Sequence, residues 1–247
     1  MIIPTAKDIK HKIQLLRLLR EILKNNFLVN NLQFKGGTYA ALRGVLDRFS
    51  VDLDFDLTDK NKISEIREIC YSIFNKLNFQ IKDESKNHLQ FFLRYEAKEN
   101  ERNTLKLEIN DNVSKFNKYE KICLQEIDMF CSGHTLDTMF ANKLVAAKAR
   151  FDKNNKIAGR DFYDIHKFFI EGILVNKEVV VGRTGIDYSE YLKTLLEFID
   201  TELTDEILYE DLNPLIQQSN LSYVISNLKP ELKVLINDEI KRQKLNK

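Results

Sequence analysis

One strand-like segment, residues 51–57 (VDLDFDL), carries an aspartate at every second position. Successive side chains of a β-strand point to opposite faces of a sheet, so Asp52, Asp54 and Asp56 share one face while apolar side chains occupy the other. Aspartate is a poor strand former, and three ionised carboxylates on one face repel one another. The segment is therefore predicted to be a half-buried strand whose polar face is compensated by solvent, by basic partners or by bound cations.

A glycine pair precedes the acidic segment. Residues 32–35 alternate as a short strand, Gly36 and Gly37 end it, and residues 38–46 have the character of a short helix. Glycines permit close backbone approach, and the free N–H groups at the start of a helix can bind a phosphate. Thr38 is placed either to cap that helix or to bond the phosphate itself. Turn, helix and acidic strand together indicate a site for a phosphorylated ligand beside a metal ion.

The chemistry of the aspartates narrows the kind of site. Carboxylate oxygens without neighbouring His or Cys suit Mg²⁺ or Mn²⁺ better than zinc. A calcium-binding EF-hand loop starting at Asp52 would need Gly and Glu where the chain has Leu57 and Ile63, so that motif is excluded. Residues 54–58 (DFDLT) also match the DxDxT motif of haloacid-dehalogenase-type phosphatases, and a simply solvated strand face is a further alternative. Both alternatives stay open at this point.

The hydrophobic pattern divides the chain in two. Amphipathic helices are predicted at residues 9–28 and 63–77, and strands at residues 79–82, 89–95 and 104–110. From residue 136 onward almost every segment has helical periodicity, with helices predicted at residues 138–150, 160–171, 188–202 and 206–210 and residues 179–181 left unassigned. The chain is therefore predicted to be α+β, with a mixed sheet and flanking helices in residues 1–133 and a helical bundle in residues 134–247.

Composition excludes several classes of protein. Against 38 Lys and Arg stand 37 Asp and Glu, so the net charge of +1 argues against a polybasic coat. The cysteines Cys70, Cys123 and Cys131 are odd in number and scattered, which supports neither a disulfide framework nor a zinc site. No apolar segment has the length of a signal peptide or a membrane span. We expect a cytoplasmic protein that does not enter membranes.

Four short segments carry a family resemblance. In order along the chain they are GGT at residues 36–38, RFSVDLDF at residues 48–55, KLVA at residues 143–146 and RDFYD at residues 160–164. They resemble the motifs of the AbiEii/AbiGii toxin family of bacterial abortive-infection and toxin–antitoxin systems. That family lies within the nucleotidyltransferase superfamily that shares the catalytic core of DNA polymerase β. Beyond about residue 175 the resemblance implies only helical structure.

The resemblance implies a role for each motif. As metal ligands it implies Asp52 and Asp54, with Glu108 on a neighbouring strand as the candidate third carboxylate. As nucleotide contacts it implies Gly36, Gly37, Thr38 and Lys143. As catalytic residues it implies Asp52, Asp54, Lys143 and Asp161. Lys143 and Asp161 would be contributed by the helical domain, residues 134–247, to the active-site cleft.

Simpler explanations exist for some of these residues. Lys143 could extend over apolar neighbours as an ordinary surface lysine, and Asp161 suits the positive end of a helix. Asp56 receives no role from the resemblance. His134 and His166 are expected to be ordinary polar or packing residues.

The function implied by the resemblance is a magnesium- or manganese-dependent transfer of a nucleoside monophosphate from an NTP to an acceptor hydroxyl. The acceptor would be an RNA such as tRNA, or a protein. The enzyme would be the toxin of a type IV abortive-infection toxin–antitoxin system with a cognate antitoxin. The alternatives are a non-catalytic nucleotide- or partner-binding module with the same fold and, less favoured, the DxDxT phosphatase.

Overall fold

Two compact units make up the chain in the computed structural model, which describes residues 1–245. The first unit consists of residues 1–113 and 118–135 and contains a mixed β-sheet with helices. The second consists of residues 114–117 and the chain from residue 136 onward, and it is helical. The predicted α+β class is confirmed. The assignment of residues 1–133 as a catalytic core and 134–247 as a helical domain stays a prediction.

The aspartate-rich segment is the central strand of the sheet. The strands are β1 (Leu32–Lys35), β2 (Asp52–Leu57), β3 (Gln80–Glu84), β4 (Leu89–Arg94), β5 (Thr104–Asn110), β6 (Tyr119–Leu124) and β7 (Met129–His134). Their order across the sheet is β3-β4-β5-β2-β1-β7-β6. Strand β2 is antiparallel to β1 and parallel to β5, and β7 is parallel to β1. The remaining neighbours are antiparallel.

Helices of the first unit follow the predicted pattern with two differences. They are α1 (Ile9–Lys24), α2 (Asn26–Asn31), α3 (Gly36–Leu42) and α4 (Ile63–Lys76). The single helix predicted at residues 9–28 is interrupted because Asn25 is extended and its side chain accepts a hydrogen bond from the Leu28 N–H, as an N-cap does. The helix predicted at residues 38–46 already ends at Leu42, and Gly44 follows in a left-handed conformation.

Aromatic side chains on one face of the sheet form the core beside β2. Phe34 of β1 lies opposite Phe55 of β2, and their rings stack with centroids 4.8 Å apart. Tyr39 of α3 packs against Phe34 at 5.0 Å. All three side chains are buried. Because side chains alternate along a strand, this packing directs Asp52 and Asp54 to the opposite face of the sheet.

The sequence did not predict β6 and β7. Strand β6 is an edge strand with mostly exposed or half-buried side chains, so it lacks a clear apolar alternation. Strand β7 contains Gly133, which is uncharacteristic of strands. A Cβ atom on Gly133 would lie 2.4 Å from the Phe34 carbonyl oxygen and 2.7 Å from the Tyr39 ring. The glycine is therefore required by the close approach of β1 and α3.

The second unit is a set of helices around its own aromatic core. The helices are α5 (Leu136–Asn154), α6 (Gly159–Ile170), α7 (Lys177–Thr184), α8 (Tyr188–Glu202), α9 (Asp205–Leu212) and α10 (Gln218–Leu245). Phe140 of α5 stacks on Phe168 of α6 with ring centroids 5.2 Å apart. The unassigned residues 179–181 belong to α7. Within residues 1–245, none of the helices has the length and apolar character needed to cross a membrane.

Candidate active site

The glycine turn, which consists of Gly36 and Gly37 at the start of α3, packs directly against the acidic strand β2. Lys35, the last residue of β1, lies opposite Asp54 of β2, so the chain enters the turn beside that aspartate. Gly36 has a φ of +79°, and a Cβ atom there would lie 2.4 Å from Asp54 Oδ2. A Cβ on Gly37 would lie 2.7 Å from Arg48 Nη2. Gly36 is therefore required by its left-handed backbone and by close packing, Gly37 is closely packed, and the two features singled out in the sequence meet at Asp54.

Thr38 ties the turn to the strand. Its buried Oγ1 donates a hydrogen bond of 2.5 Å to the Asp52 carbonyl oxygen. The sequence left open whether Thr38 caps the helix or bonds a phosphate, and the structure gives the hydroxyl this third use. Thr38 thereby holds the beginning of α3 against the beginning of β2.

Asp54 carries the least compensated charge of this face. Glu108 of the parallel strand β5 lies opposite Asp54, and Asp52 is its neighbour along β2. Burial, followed by the negative charges of Asp52 and Glu108, raises the pKa of Asp54 from its ordinary value to about 6. Among residues 1–245, nothing forms a hydrogen bond or ion pair with the Asp54 carboxylate. The fold thus concentrates negative charge here, and the charges of Lys35 and Lys106 offset it only in part.

Glu108 differs from Asp54 because it has a counter-ion. The Lys106 ammonium forms a short ion pair with Glu108 Oε2, and Gln90 Nε2 donates to the same oxygen at 3.3 Å. Burial acts to raise the pKa of Glu108, but the hydrogen bond and charge of Lys106 outweigh it and leave that pKa below its ordinary value. Glu108, the predicted third metal ligand, therefore lies in register with Asp54, but its charge is already neutralised by Lys106.

Asp56 is held in a buried polar cluster of its own. Its Oδ1 accepts from Lys35 Nζ at 2.6 Å, and its Oδ2 accepts from His134 Nε2 at 2.7 Å and from the Tyr119 hydroxyl at 3.1 Å. Burial opposes ionisation of Asp56, but the His134 hydrogen bond and the Lys35 charge leave its pKa well below the ordinary value. An ionised carboxylate only accepts hydrogen bonds, so His134 Nε2 carries a proton. Both oxygens of Asp56 thus accept hydrogen bonds from the protein.

A divalent cation fits the Asp52 and Asp54 pair by the chemistry of its donors. Two carboxylates lie on one face of one strand, and burial together with the negative charges of Asp52 and Glu108 raises the pKa of Asp54, an effect that a bound cation would oppose. In the described part of the chain, no group of three or more His, Cys, Asp or Glu side chains is assembled as a ready metal site. A cation bound by the aspartate pair would take its remaining ligands from substrate and water.

Lys143 and Asp161 meet in the helical unit. Lys143 Nζ lies 2.8 Å from Asp161 Oδ1 and 2.8 Å from Asp164 Oδ2, and both carboxylates are buried. Arg150 Nη2 lies 3.2 Å from Asp161 Oδ2. Burial acts to raise the pKa of Asp161, but the charges of Lys143 and Arg150 leave it below the ordinary value. Lys143 is therefore a fixed ion-pair partner, and the interpretation of it as an ordinary surface lysine is wrong.

The structure adds residues to which the sequence assigned no role. Around Asp56 these are Lys35, Tyr119 and His134, and around Lys143 they are Arg150 and Asp164. Lys35 and Asp164 had a usable signal, because one precedes the glycine pair and the other lies one helical turn after Asp161. Tyr119 and His134 had none, because they lie on the strands that the pattern did not predict.

Asp54 and Asp56 of β2 predict opposite effects on stability. A raised pKa means that ionisation of Asp54 costs folding free energy as the pH rises towards 6, so Asp54→Asn should stabilise the metal-free protein by about 1–2 kcal/mol at pH 8. The gain should vanish below about pH 4, where the carboxyl is protonated in both states. Urea unfolding in the presence of a chelator at both pH values measures this difference.

Asp56→Asn is the matched control on the same strand. Loss of a charge that three donors satisfy should destabilise the protein by about 2–3 kcal/mol at pH 8. A destabilising Asp54→Asn at pH 8 would contradict the unbalanced charge inferred for that residue.

Solved structures share this fold over nearly the whole chain. JHP933 from Helicobacter pylori matches with a TM-score of 0.58 at 19% identity, covering 98% of this chain and 97% of that one. A second H. pylori protein matches with a TM-score of 0.62 at 20% identity, covering 98% and 99%. MenT4, a nucleotidyltransferase toxin from Mycobacterium tuberculosis, matches with a TM-score of 0.54 at 16% identity, covering 96% and 88%. At these identities the likeness shows the fold.

Family membership comes from the sequence match. The comparison with curated proteins found no match. Residues 17–221 match the nucleotidyl transferase AbiEii toxin family of type IV toxin–antitoxin systems, and this range contains the glycine turn, the acidic strand, Lys143 and Asp161. The match covers most of the chain and confirms the resemblance found in the four motifs. The chain belongs to the AbiEii family of nucleotidyl transferase toxins.

Proposed function

We propose that this nucleotidyltransferase moves a nucleoside monophosphate from an NTP to an acceptor hydroxyl, with a divalent cation held by Asp52 and Asp54. The observation that carries the proposal is the packing of Gly36 against Asp54 Oδ2. This packing places the glycine turn, which is suited to bind phosphate, next to strand β2, whose aspartates are suited to bind a cation. A nucleoside triphosphate bound to a cation needs both features side by side.

The turn supplies the proposed phosphate contacts through its backbone. The N–H groups of residues 36–38 begin α3, and the first N–H groups of a helix have no partner within the helix. Gly36 and Gly37 would let the β- and γ-phosphates approach these groups closely. Since the Thr38 hydroxyl is bound to the Asp52 carbonyl, Thr38 would contribute its N–H and keep the turn in place.

Asp52 and Asp54 are the proposed cation ligands. A bound Mg²⁺ or Mn²⁺ would supply charge neutralisation at the phosphates and acidify the acceptor hydroxyl. Asp54 would bind the cation in its ionised form, which the cation favours over the protonated form. Glu108 remains the candidate third ligand and would have to exchange its bond to Lys106 for the cation.

The proposed reaction is a substitution at phosphorus. The acceptor oxygen bonds to the α-phosphorus, the bond to the β-phosphate oxygen breaks, and pyrophosphate and one proton are released. The resemblance assigns Lys143 a contact with nucleotide phosphate, and within the helical unit the buried Asp161 would orient its ammonium. Positioning and electrostatics of this kind supply most of the acceleration in phosphoryl-transfer enzymes.

The biological setting is proposed from the family. The chain would act as the toxin of a type IV system in the bacterial cytoplasm, with a cognate antitoxin whose gene would lie in the adjacent open reading frame. An RNA such as tRNA, or a protein hydroxyl, would be the acceptor. Incubation with each of the four α-labelled NTPs and total RNA or total protein identifies both substrates.

Replacing either cation ligand should abolish transfer. Asp52→Asn and Asp54→Asn remove a carboxylate from the cation, so transfer of label should fall by at least about a hundredfold. The matched control is Asp83→Asn on the exposed edge strand β3, which should transfer label at the wild-type rate. Gel-resolved transfer of the α-phosphate label with added Mg²⁺ or Mn²⁺ measures the effect.

Three outcomes of this assay would contradict the proposal. Full activity in both Asp→Asn variants would contradict the assignment of Asp52 and Asp54 as cation ligands. Binding of NTP without transfer would favour the non-catalytic module. Release of inorganic phosphate in place of pyrophosphate would favour the phosphatase.

Gly36 and Gly44 form a matched pair for testing the role of the turn, because they have the same backbone conformation. Gly36 and Gly44 both have a φ of +79°, but only at Gly36 does an added Cβ meet another atom, Asp54 Oδ2. Both Ala variants should lose about 1–2 kcal/mol of stability from the left-handed backbone. Only Gly36→Ala displaces the Asp54 carboxylate, so only it should lose transfer. Equal activity of the two variants would argue against a role for the turn.

A further inference from the structure

Lys35 lies opposite Asp54 but does not pair with it. The two residues are directly opposed on the antiparallel strands β1 and β2, so their side chains share one face of the sheet. The Lys35 ammonium instead lies 2.6 Å from Asp56 Oδ1, two residue pairs further along the ladder and on the same face of the sheet. Asp54, the nearer partner by register, is left without an ion pair in the described part of the chain.

The surroundings of Asp56 favour its ion pair with the Lys35 ammonium. Both of its oxygens are occupied, Oδ1 by Lys35 and Oδ2 by His134 and Tyr119. Tyr119 of β6 lies opposite His134 of β7, so two further strands fix the position of the Asp56 carboxylate. Asp56 is buried, whereas Asp54 is partly exposed. Asp56 therefore offers Lys35 a fixed negative charge with little competition from water.

We propose that Asp56 is a positioning residue that draws the Lys35 ammonium away from Asp54 and thereby keeps the Asp54 carboxylate available to a divalent cation. The inference rests on the proposed cation site and assigns Asp56 a part in it without direct contact. It also explains why the acidic strand has a third aspartate although both oxygens of Asp56 are engaged by other side chains.

A second lysine on this face is engaged in the same way. Lys106 of β5 lies opposite Asp52, yet its ammonium pairs with Glu108, the next residue on its own side of the strand. Each lysine that stands opposite a proposed cation ligand is thus bound to another carboxylate. An ammonium bound directly to Asp54 would have to be displaced before a cation could enter, and the cost of displacement would weaken cation binding.

A double-mutant cycle with cation binding as its readout tests the inference. The full chain is titrated with Mn²⁺ by calorimetry at pH 8. Asp56→Asn removes the charge that holds Lys35, which is then free to pair with Asp54, so Mn²⁺ affinity should fall by about tenfold. The double variant Asp56→Asn/Lys35→Gln has no ammonium to compete, so its affinity should return to within about threefold of wild type.

Recovery in the double variant is the decisive result. If Asp56 were itself a cation ligand, or if its loss merely distorted β2, removal of Lys35 would not restore affinity. A double variant as weak as Asp56→Asn would therefore overturn the inference, and so would an Asp56→Asn variant with wild-type affinity. Tyr119→Phe is the matched control, because it removes one hydrogen bond from Asp56 but leaves its charge, and it should bind Mn²⁺ as wild type does.

Lys35→Gln keeps the inference testable if Asp56→Asn fails to fold. With the ammonium removed and Asp56 intact, Mn²⁺ affinity should equal or exceed that of wild type, and a tenfold loss would overturn the inference. A wild-type chain that binds no Mn²⁺ would overturn the proposed cation site together with this inference. Wild-type binding that is insensitive to Asp56→Asn would overturn the inference alone.

Discussion

The antiparallel pairing of β1 with β2 is the interaction on which the site depends. Stacking of Phe34 on Phe55 anchors the register from the core side. A slip of one residue would move Phe55 to the polar face and Asp54 into the core, which is prohibitively unfavourable. The same register places the end of β1, and so the glycine turn, beside Asp54. Hydrophobic packing on one face thereby determines which carboxylate meets the turn on the other.

The polar face of the sheet shows how the protein divides its charge. Six ionisable groups lie in register on three adjacent strands, namely Lys35, Asp52, Asp54, Asp56, Lys106 and Glu108. Two lysine–carboxylate pairs form, and within residues 1–245 Asp54 belongs to neither and has a pKa raised to about 6. A fold selected for stability alone would pair or replace that carboxylate. Uncompensated charge of this kind is typical of sites where a ligand completes the electrostatic balance.

In the helical unit, unlike on the polar face of the sheet, the buried carboxylates near Lys143 are paired with positive charges. Lys143 bridges two buried carboxylates, and Arg150 supplies a second positive charge to Asp161, so two cations balance two anions. Buried ion pairs contribute little net stability against apolar replacements, but they fix the position of the groups they contain. The cluster therefore positions an ammonium more firmly than an exposed lysine could. Lys143 is the member that both buried carboxylates share.

The sequence alone determined the fold class and most of the residues of the proposed site. Residues 32–35, 51–57 and 104–110 alternate strongly enough to be recognised as strands, and the helical periodicity after residue 136 is clear. The glycine pair and the aspartates could be recognised because their chemistry conflicts with local propensity. These features are local, and local patterns can be read without knowledge of the fold.

Only the tertiary structure decided which charges pair. Asp54 and Asp56 are equivalent in the sequence, both on the same face of one strand, yet within residues 1–245 Asp54 has no ion pair while both oxygens of Asp56 accept hydrogen bonds. The difference comes from His134 and Tyr119, which lie on strands without a clear sequence pattern and 63 or more positions away along the chain. Pairing between side chains far apart in sequence depends on strand order and register, and no periodicity of the chain encodes either.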